Sequence, residues 1–178
     1  MDALDHATRR RVYDLVRRAP GAHLREIARL LELSITLADY HLRFLEKHEL
    51  VSHSMDGEFK RFYPRSVFGD ASAVPALEDA DKRLLAFLRQ RVPRSVLLRL
   101  LEVEQSFHRD LLEAAQVSPS TLSHHLRKMV QGGVLLWTSE RMYRVADPRR
   151  AARLSVAYDI ATADQVDVFL RVWGEFRL

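Results

Sequence analysis

The stretch VSPSTLSHHLRKMVQGGVL, Val117 to Leu135, decides how the chain reads. Ser118 is a strong helix N-cap, and Pro119 suits the first helical position because its missing N–H would be unpaired there in any case. Leu122, Leu126 and Met129 recur at helical spacing and mark a buried stripe. On other faces stand Ser120, Thr121, Ser123, His124, Arg127 and Lys128. These are short hydrogen-bonding groups and cations of the kind that reach base edges and phosphates in a major groove. Gly132-Gly133 stops the helix and an apolar run follows, so the stretch reads as a recognition helix leading into a strand. The same side chains decorate ordinary solvated helix faces, and periodicity by itself establishes only an amphipathic helix.

The device occurs twice. An offset of 84 residues places Leu33-Ser34-Ile35-Thr36 under Val117-Ser118-Pro119-Ser120, and His41-Leu42-Arg43 under His125-Leu126-Arg127. It also sets Arg25-Glu26 under Arg109-Asp110 and Pro64 under Pro148, with no gap between Arg25 and Pro64. An internal duplication of this length is first of all a statement about architecture.

Both stretches, "VSPSTLSHHLRKM…GGVL" and "LSITLADYHLRFLEKHELV", resemble the helix-turn-helix and following strand of winged-helix transcriptional regulators of the ArsR and MarR types. The pairing is similar to two-domain winged-helix regulators, which are frequent in archaea. The resemblance covers residues 7–67 and 93–150 and implies a transcription factor that binds double-stranded DNA. The fold it implies is mainly α with small β-hairpin wings (α+β). Domain 1 would span 1–67, a linker with an interdomain helix 68–92, domain 2 93–150, and C-terminal helices 151–178. Two features depart from the pattern. The absence of cysteine removes the thiolate metal site of many ArsR-type sensors, and Asp39 stands where the second copy has Ser123. A carboxylate near phosphates is unfavourable unless it accepts from a cytosine amino group.

Charge distribution agrees with two nucleic-acid-binding repeats. Residues 1–67 hold 12 Lys/Arg against 10 Asp/Glu, and residues 93–150 hold 9 against 6. The linker is neutral and the last 28 residues carry −1, so the positive excess lies in the repeats. The absence of cysteine excludes disulfides, cysteine metal clusters and cysteine nucleophiles. The eight histidines show no shared metal-ligand spacing. No apolar run is long enough to span a bilayer and the start MDALDHATRRR lacks a signal-peptide core, so a cytoplasmic protein without metal, cofactor or membrane contact is expected.

Along the chain, residues 7–18 predict a first helix with Arg9, Arg10 and Arg11 on its outer face, and residues 23–31 a second. In the first recognition helix, Thr36 to Lys47, Leu37 or Ala38 faces inward with Leu42 and Leu45. Thr36, Asp39, Tyr40 and Arg43 form the exposed set there, with Ser34 preceding them. Tyr40 suits either a phosphate contact or the core. His41 and His125 are expected to pack against their domains. Asp56-Gly57 between two strand-like runs is the strongest short hairpin signal and marks a wing. Lys60 and Arg61 on its return strand are candidates for phosphate contact, as are Arg141 and Arg144 on the second wing. Residues 66–78 read as the linker, 79–91 as a helix, and Pro93 as the start of the second copy's first helix. Thr162 with Gln165 forms a capping box before a helix whose face carries Val166, Phe169, Leu170, Trp173 and Phe176. So large an apolar face must be covered, and a homodimer contact through the terminal helices is the favoured cover.

The function these readings favour is a sequence-specific DNA-binding transcription regulator. Its two recognition helices would enter half-sites about one helical turn, roughly 34 Å, apart. The alternative is a tandem winged-helix scaffold for protein partners, since fold does not settle function. An enzyme fits least. The chain has no Gly-rich phosphate loop and no carboxylate pair, and Ser118 and Ser123 beside His124 and His125 are better explained as a cap and DNA contacts.

Overall fold

The computed structural model describes residues 4, 6–65 and 77–173. The chain divides into two compact units, Met1–Lys82 and Arg83–Leu178. In the first, α1 (Ala7–Arg18), α2 (Leu24–Leu31) and α3 (Ile35–Lys47) combine with β1 (Ala22–His23), β2 (Val51–Asp56) and β3 (Phe59–Pro64). Helix α4 (Asp79–Leu88) crosses the division. The second holds α5 (Arg91–Val103), β4 (Gln105–Ser106), α6 (His108–Ala115), α7 (Pro119–Gln131), β5 (Leu135–Trp137), β6 (Tyr143–Val145), α8 (Pro148–Ala157) and α9 (Ala163–Trp173). Each unit is thus mainly helical with one small antiparallel sheet.

The duplication survives in the backbone. The starts of α1, α2, α3, β2 and β3 recur 84 residues later as those of α5, α6, α7, β5 and β6. So do three left-handed residues: Glu32, Glu49 and Gly57 answer to Gln116, Gly133 and Arg141. Left-handed backbone at the end of α2 and of α6 makes the turn into the recognition helix, where Ser34 and Ser118 each cap the next helix. The exit is also shared. Leu50 N–H donates to the Leu45 carbonyl at 3.0 Å and Val134 N–H to the Met129 carbonyl at 2.9 Å, so each helix ends on a left-handed residue and turns into a strand. Gly132, with ordinary φ, has a different reason to be glycine: a Cβ there would come within 3.2 Å of the Phe87 ring.

Each sheet places the returning hairpin strand in the centre, in the orders β1-β3-β2 and β4-β6-β5. The first hairpin closes with Asp56 opposite Phe59, leaving Gly57-Glu58 as the loop. The core of unit 1 gathers Val12 and Val16 of α1, Ile27 of α2, Leu42 and Leu45 of α3, and Phe62 of β3. Ala38 rather than Leu37 is the inward residue early in α3.

One boundary shifts. The helix α5 begins at Arg91, two residues before Pro93. Proline is tolerated anywhere in the first turn because those N–H groups have no intrahelical acceptor. The linker expected over 66–78 lies mostly outside the described residues, as does Phe176. The capping box at α9 forms as expected, with Thr162 N–H donating to Gln165 Oε1 and Gln165 N–H to Thr162 Oγ1. The face behind it is covered in part by its own chain. Phe169 is fully buried, Trp173 Nε1 donates to the Leu101 carbonyl of α5 at 2.7 Å, and Gln165 reaches Glu102 at 3.0 Å. Of the face expected to meet a second copy, Phe169 and Trp173 pack within the same chain, whereas Leu170 is exposed and Phe176 lies outside the described residues.

Candidate nucleic-acid interface

The second unit presents the more open candidate face. Ser118 Oγ accepts from Thr121 N–H at 3.2 Å and also shares hydrogen bonds with the Ser120 and Thr121 hydroxyls, so its first task is to start the helix. Ser120, Thr121, His124, Arg127 and Lys128 are exposed on α7. None of the three basic side chains has an ion-pair partner among the described residues, and none of the five residues is acidic. Ser123 is half-buried and bonded to His108 Nε2 of α6 at 3.0 Å, which ties the two helices together. His125 is half-buried. Burial first, then the neighbouring His124 and Lys128, lowers its pKa and keeps it neutral.

The first unit shows the same geometry with a different surface. Ser34 Oγ accepts from Leu37 N–H at 3.2 Å as the cap, and Thr36 is exposed. Tyr40 is 57% exposed with its ring edge against His41, which settles its side chain on the outer face. Arg43 is bound to Asp39 at 2.7 Å, one turn back on the same helix. Ile35 and Leu37 are also exposed there, so this face is largely apolar and its one arginine is neutralised.

The wings separate the four candidate cations. Lys60 is exposed on β3, and Arg141 is exposed at the second hairpin's turn in left-handed backbone (φ 60). Arg61 does not belong with them. It is 5% exposed, its Nε donates to Asp56 at 2.8 Å and its Nη1 to the Gly21 carbonyl at 2.9 Å. The two-residue strand β1 makes β3 central, so a side chain that sequence placed on an open hairpin lies inside. Arg144, on central β6, is exposed but lines a cleft with Trp173 and Glu104, whereas Tyr143, its neighbour, lines a cleft with α7. Arg144 thus stands apart from the recognition helix.

The three arginines at the start of α1 are likewise occupied: Arg9 lies over the Phe44 ring, Arg10 donates to the Leu4 carbonyl and Arg11 to the Leu31 carbonyl. Sequence reading missed Trp137 and Tyr143, which meet edge-on at 4.5 Å beside α7. A tryptophan closing an apolar run before a polar turn was the available signal, but strand alternation does not reveal that Trp137 is 52% exposed. Among the described residues no three His, Asp or Glu side chains gather as a metal site, and no helix is long and apolar enough to cross a membrane.

Residues 6–72 match a family described as an N-terminal HTH domain, and residues 93–135 match the bacterial regulatory protein, arsR family. Each match falls on a helix-turn-helix with its own sheet. The chain carries two winged helix-turn-helix units in tandem. This tandem winged-helix protein is 26% identical over 128 residues to an uncharacterized HTH-type transcriptional regulator of Methanocaldococcus jannaschii. The alignment takes in 72% of the chain and 30% of that relative, so the chain spans well under half of its length. No solved structure matches.

Proposed function

We propose that the chain binds double-stranded DNA as a cytoplasmic, sequence-specific transcription regulator in which α7 is the principal reader. The observation that carries this is the exposed arc Ser120, Thr121, His124, Arg127 and Lys128, whose cations are free of ion pairs among the described residues. Helix α3 is the second reader, through Thr36 and Tyr40. Lys60 and Arg141 hold the backbone from the wings, a contact that positions without specifying. Two readers lie on one chain without pairing of two copies, and a second copy would meet α9 on the side where Leu170 is exposed.

Fluorescence anisotropy on random-sequence duplexes across a salt series tests the proposal. Binding should fall steeply with salt, and Arg127→Ala should lose about 1–3 kcal/mol if the guanidinium reads a guanine edge. Uniform weakening on every sequence would make Arg127 a phosphate contact instead, and absence of binding at low salt would overturn the proposal. A protein-docking role has one observation in its favour, the apolar face of α3 with Arg43 held by Asp39. It would apply to the first unit.

A further inference from the structure

A cleft of about 350 Å³ opens in the second unit where α5 ends, β4 meets β6 and α9 crosses, and no residue of α7 lines it. Its volume is that of a small-molecule site. Val103, Val145, Pro148 and Trp173 give it apolar walls, and Trp173 is held in place by its bond to the Leu101 carbonyl. Two charged residues line it, Glu104 and Arg144, one of each sign. Both are exposed, and neither has an ion-pair partner among the described residues.

The backbone brings these charges together in an unusual way. Gln105 and Arg144 are cross-strand partners, so their side chains share one face of the sheet. Glu104, one residue earlier, would point to the opposite face if the strand were regular. Its φ of 63 and ψ of −45 break the alternation, and it lines the same cleft as Arg144. Residues with a side chain rarely adopt such a conformation, and strain of this kind gathers at ligand sites. The matching turn of the first unit is Pro20-Gly21, where a glycine takes the positive φ and no carboxylate is present. The carboxylate is therefore a feature of the second copy alone.

We infer that this cleft binds an α-amino acid with an apolar side chain. Such a ligand carries an anion and a cation on one carbon, which answers the opposite charges of Arg144 and Glu104. The guanidinium holds the carboxylate by charge-assisted hydrogen bonds, and the Gln105 amide offers a further donor. The ammonium meets Glu104 at the end of α5. That helix has no basic residue in its last turn, so its partial negative charge adds to the attraction. The side chain lies against Trp173 and Pro148. This site is independent of the DNA-binding reading, and failure of either leaves the other standing.

Calorimetric titration of the full chain, without duplex, tests the site with L-phenylalanine as the probe. Two analogues each remove one charge: 3-phenylpropanoate lacks the ammonium and phenethylamine lacks the carboxylate. Each should bind about tenfold more weakly than L-phenylalanine. Glu104→Gln should weaken L-phenylalanine and phenethylamine about tenfold without weakening 3-phenylpropanoate. Arg144→Gln should do the reverse, weakening L-phenylalanine and 3-phenylpropanoate and sparing phenethylamine. Circular dichroism melts that match wild type would show that both variants fold, as expected for exposed positions. No heat with L-phenylalanine would overturn the site, and so would equal affinity for all three compounds. Folded variants that bind L-phenylalanine as wild type does would place its binding elsewhere and overturn the inference.

Discussion

Arg61 and Arg127 carry the same guanidinium in opposite surroundings, and their substitutions should be read by different instruments. Arg61 joins Asp56 to the Gly21 carbonyl from a buried position. Arg61→Ala removes this donor from the buried Gly21 carbonyl and this partner from Asp56, and because Asp56 keeps some solvent contact the cost should be about 2–3 kcal/mol of folding stability. Urea denaturation would measure it, and DNA affinity of the folded variant should be unchanged. Sequence could not show this, because β1 is only two residues long and leaves no periodic trace of the strand that encloses β3. His41 carries a second prediction. It is 1% exposed, and neither ring nitrogen has a hydrogen-bond partner among the described residues. His6 lies 5.0 Å from its ring, Tyr40 meets it edge-on, and burial, then His6 and Arg9, lowers its pKa. The unfolded chain then binds more protons than the folded one just below the ordinary histidine value near 6.5. The stability this group contributes is complete above that value and is lost as pH falls from it toward the lowered folded pKa. His41→Leu should flatten that part of the stability-versus-pH curve and raise stability near neutrality by about 1 kcal/mol, because it removes an unsatisfied buried polar group. A melting series from pH 7.5 to 5 that is as steep in the variant as in wild type would refute this.

At the scale of elements, the recognition helices and first hairpin were legible because each is specified locally. Ser118 with Pro119 starts α7, Gly133 ends it, and Asp56-Gly57 closes the first wing. The helix α9 was legible as a face but not as a contact, since periodicity says which side is apolar and nothing about what covers it. Its cover is α5, through Trp173 and the buried Phe169. Phe169→Ala should accordingly cost about 3–5 kcal/mol in thermal or urea unfolding of the second unit, as cavity-forming aromatic truncations do. Sedimentation velocity should show the same species for this variant as for wild type at matched folded fraction. A shift from dimer to monomer in the variant would mean that Phe169 serves an interface after all. The wing cations show the same limit. The strand β3 runs from exposed Phe59 and Lys60 to buried Arg61, Phe62 and Tyr63 without alternation, so only the full sheet order reveals which of its cations is open.

Across the whole molecule the two copies share a backbone and differ in surface. The ungapped offset made the duplication legible, and with it the fold of both units. The divergence of the reading faces was partly legible in Asp39. The binding of Asp39 to Arg43 needed coordinates, because an i, i+4 pair on a helix competes with every other partner that arginine has. This sets up a comparison between the copies. Arg43→Ala should change duplex affinity by no more than about threefold, the scale of an exposed ion pair, while Arg127→Ala should exceed about tenfold. Equal losses at both positions would show that the copies contribute alike.

One consequence of the shared 84-residue register concerns direction. Two identical subunits related by a twofold axis are bound to see a palindrome, and a palindrome has no left or right. Two recognition helices encoded in tandem can drift apart in sequence, as Ile35-Thr36 and Pro119-Ser120 have done at matching positions. A protein so built can meet an asymmetric target in a single orientation. On the proposed DNA-binding reading its bound form would carry polarity along the duplex, a property that a symmetric pair of identical subunits does not have.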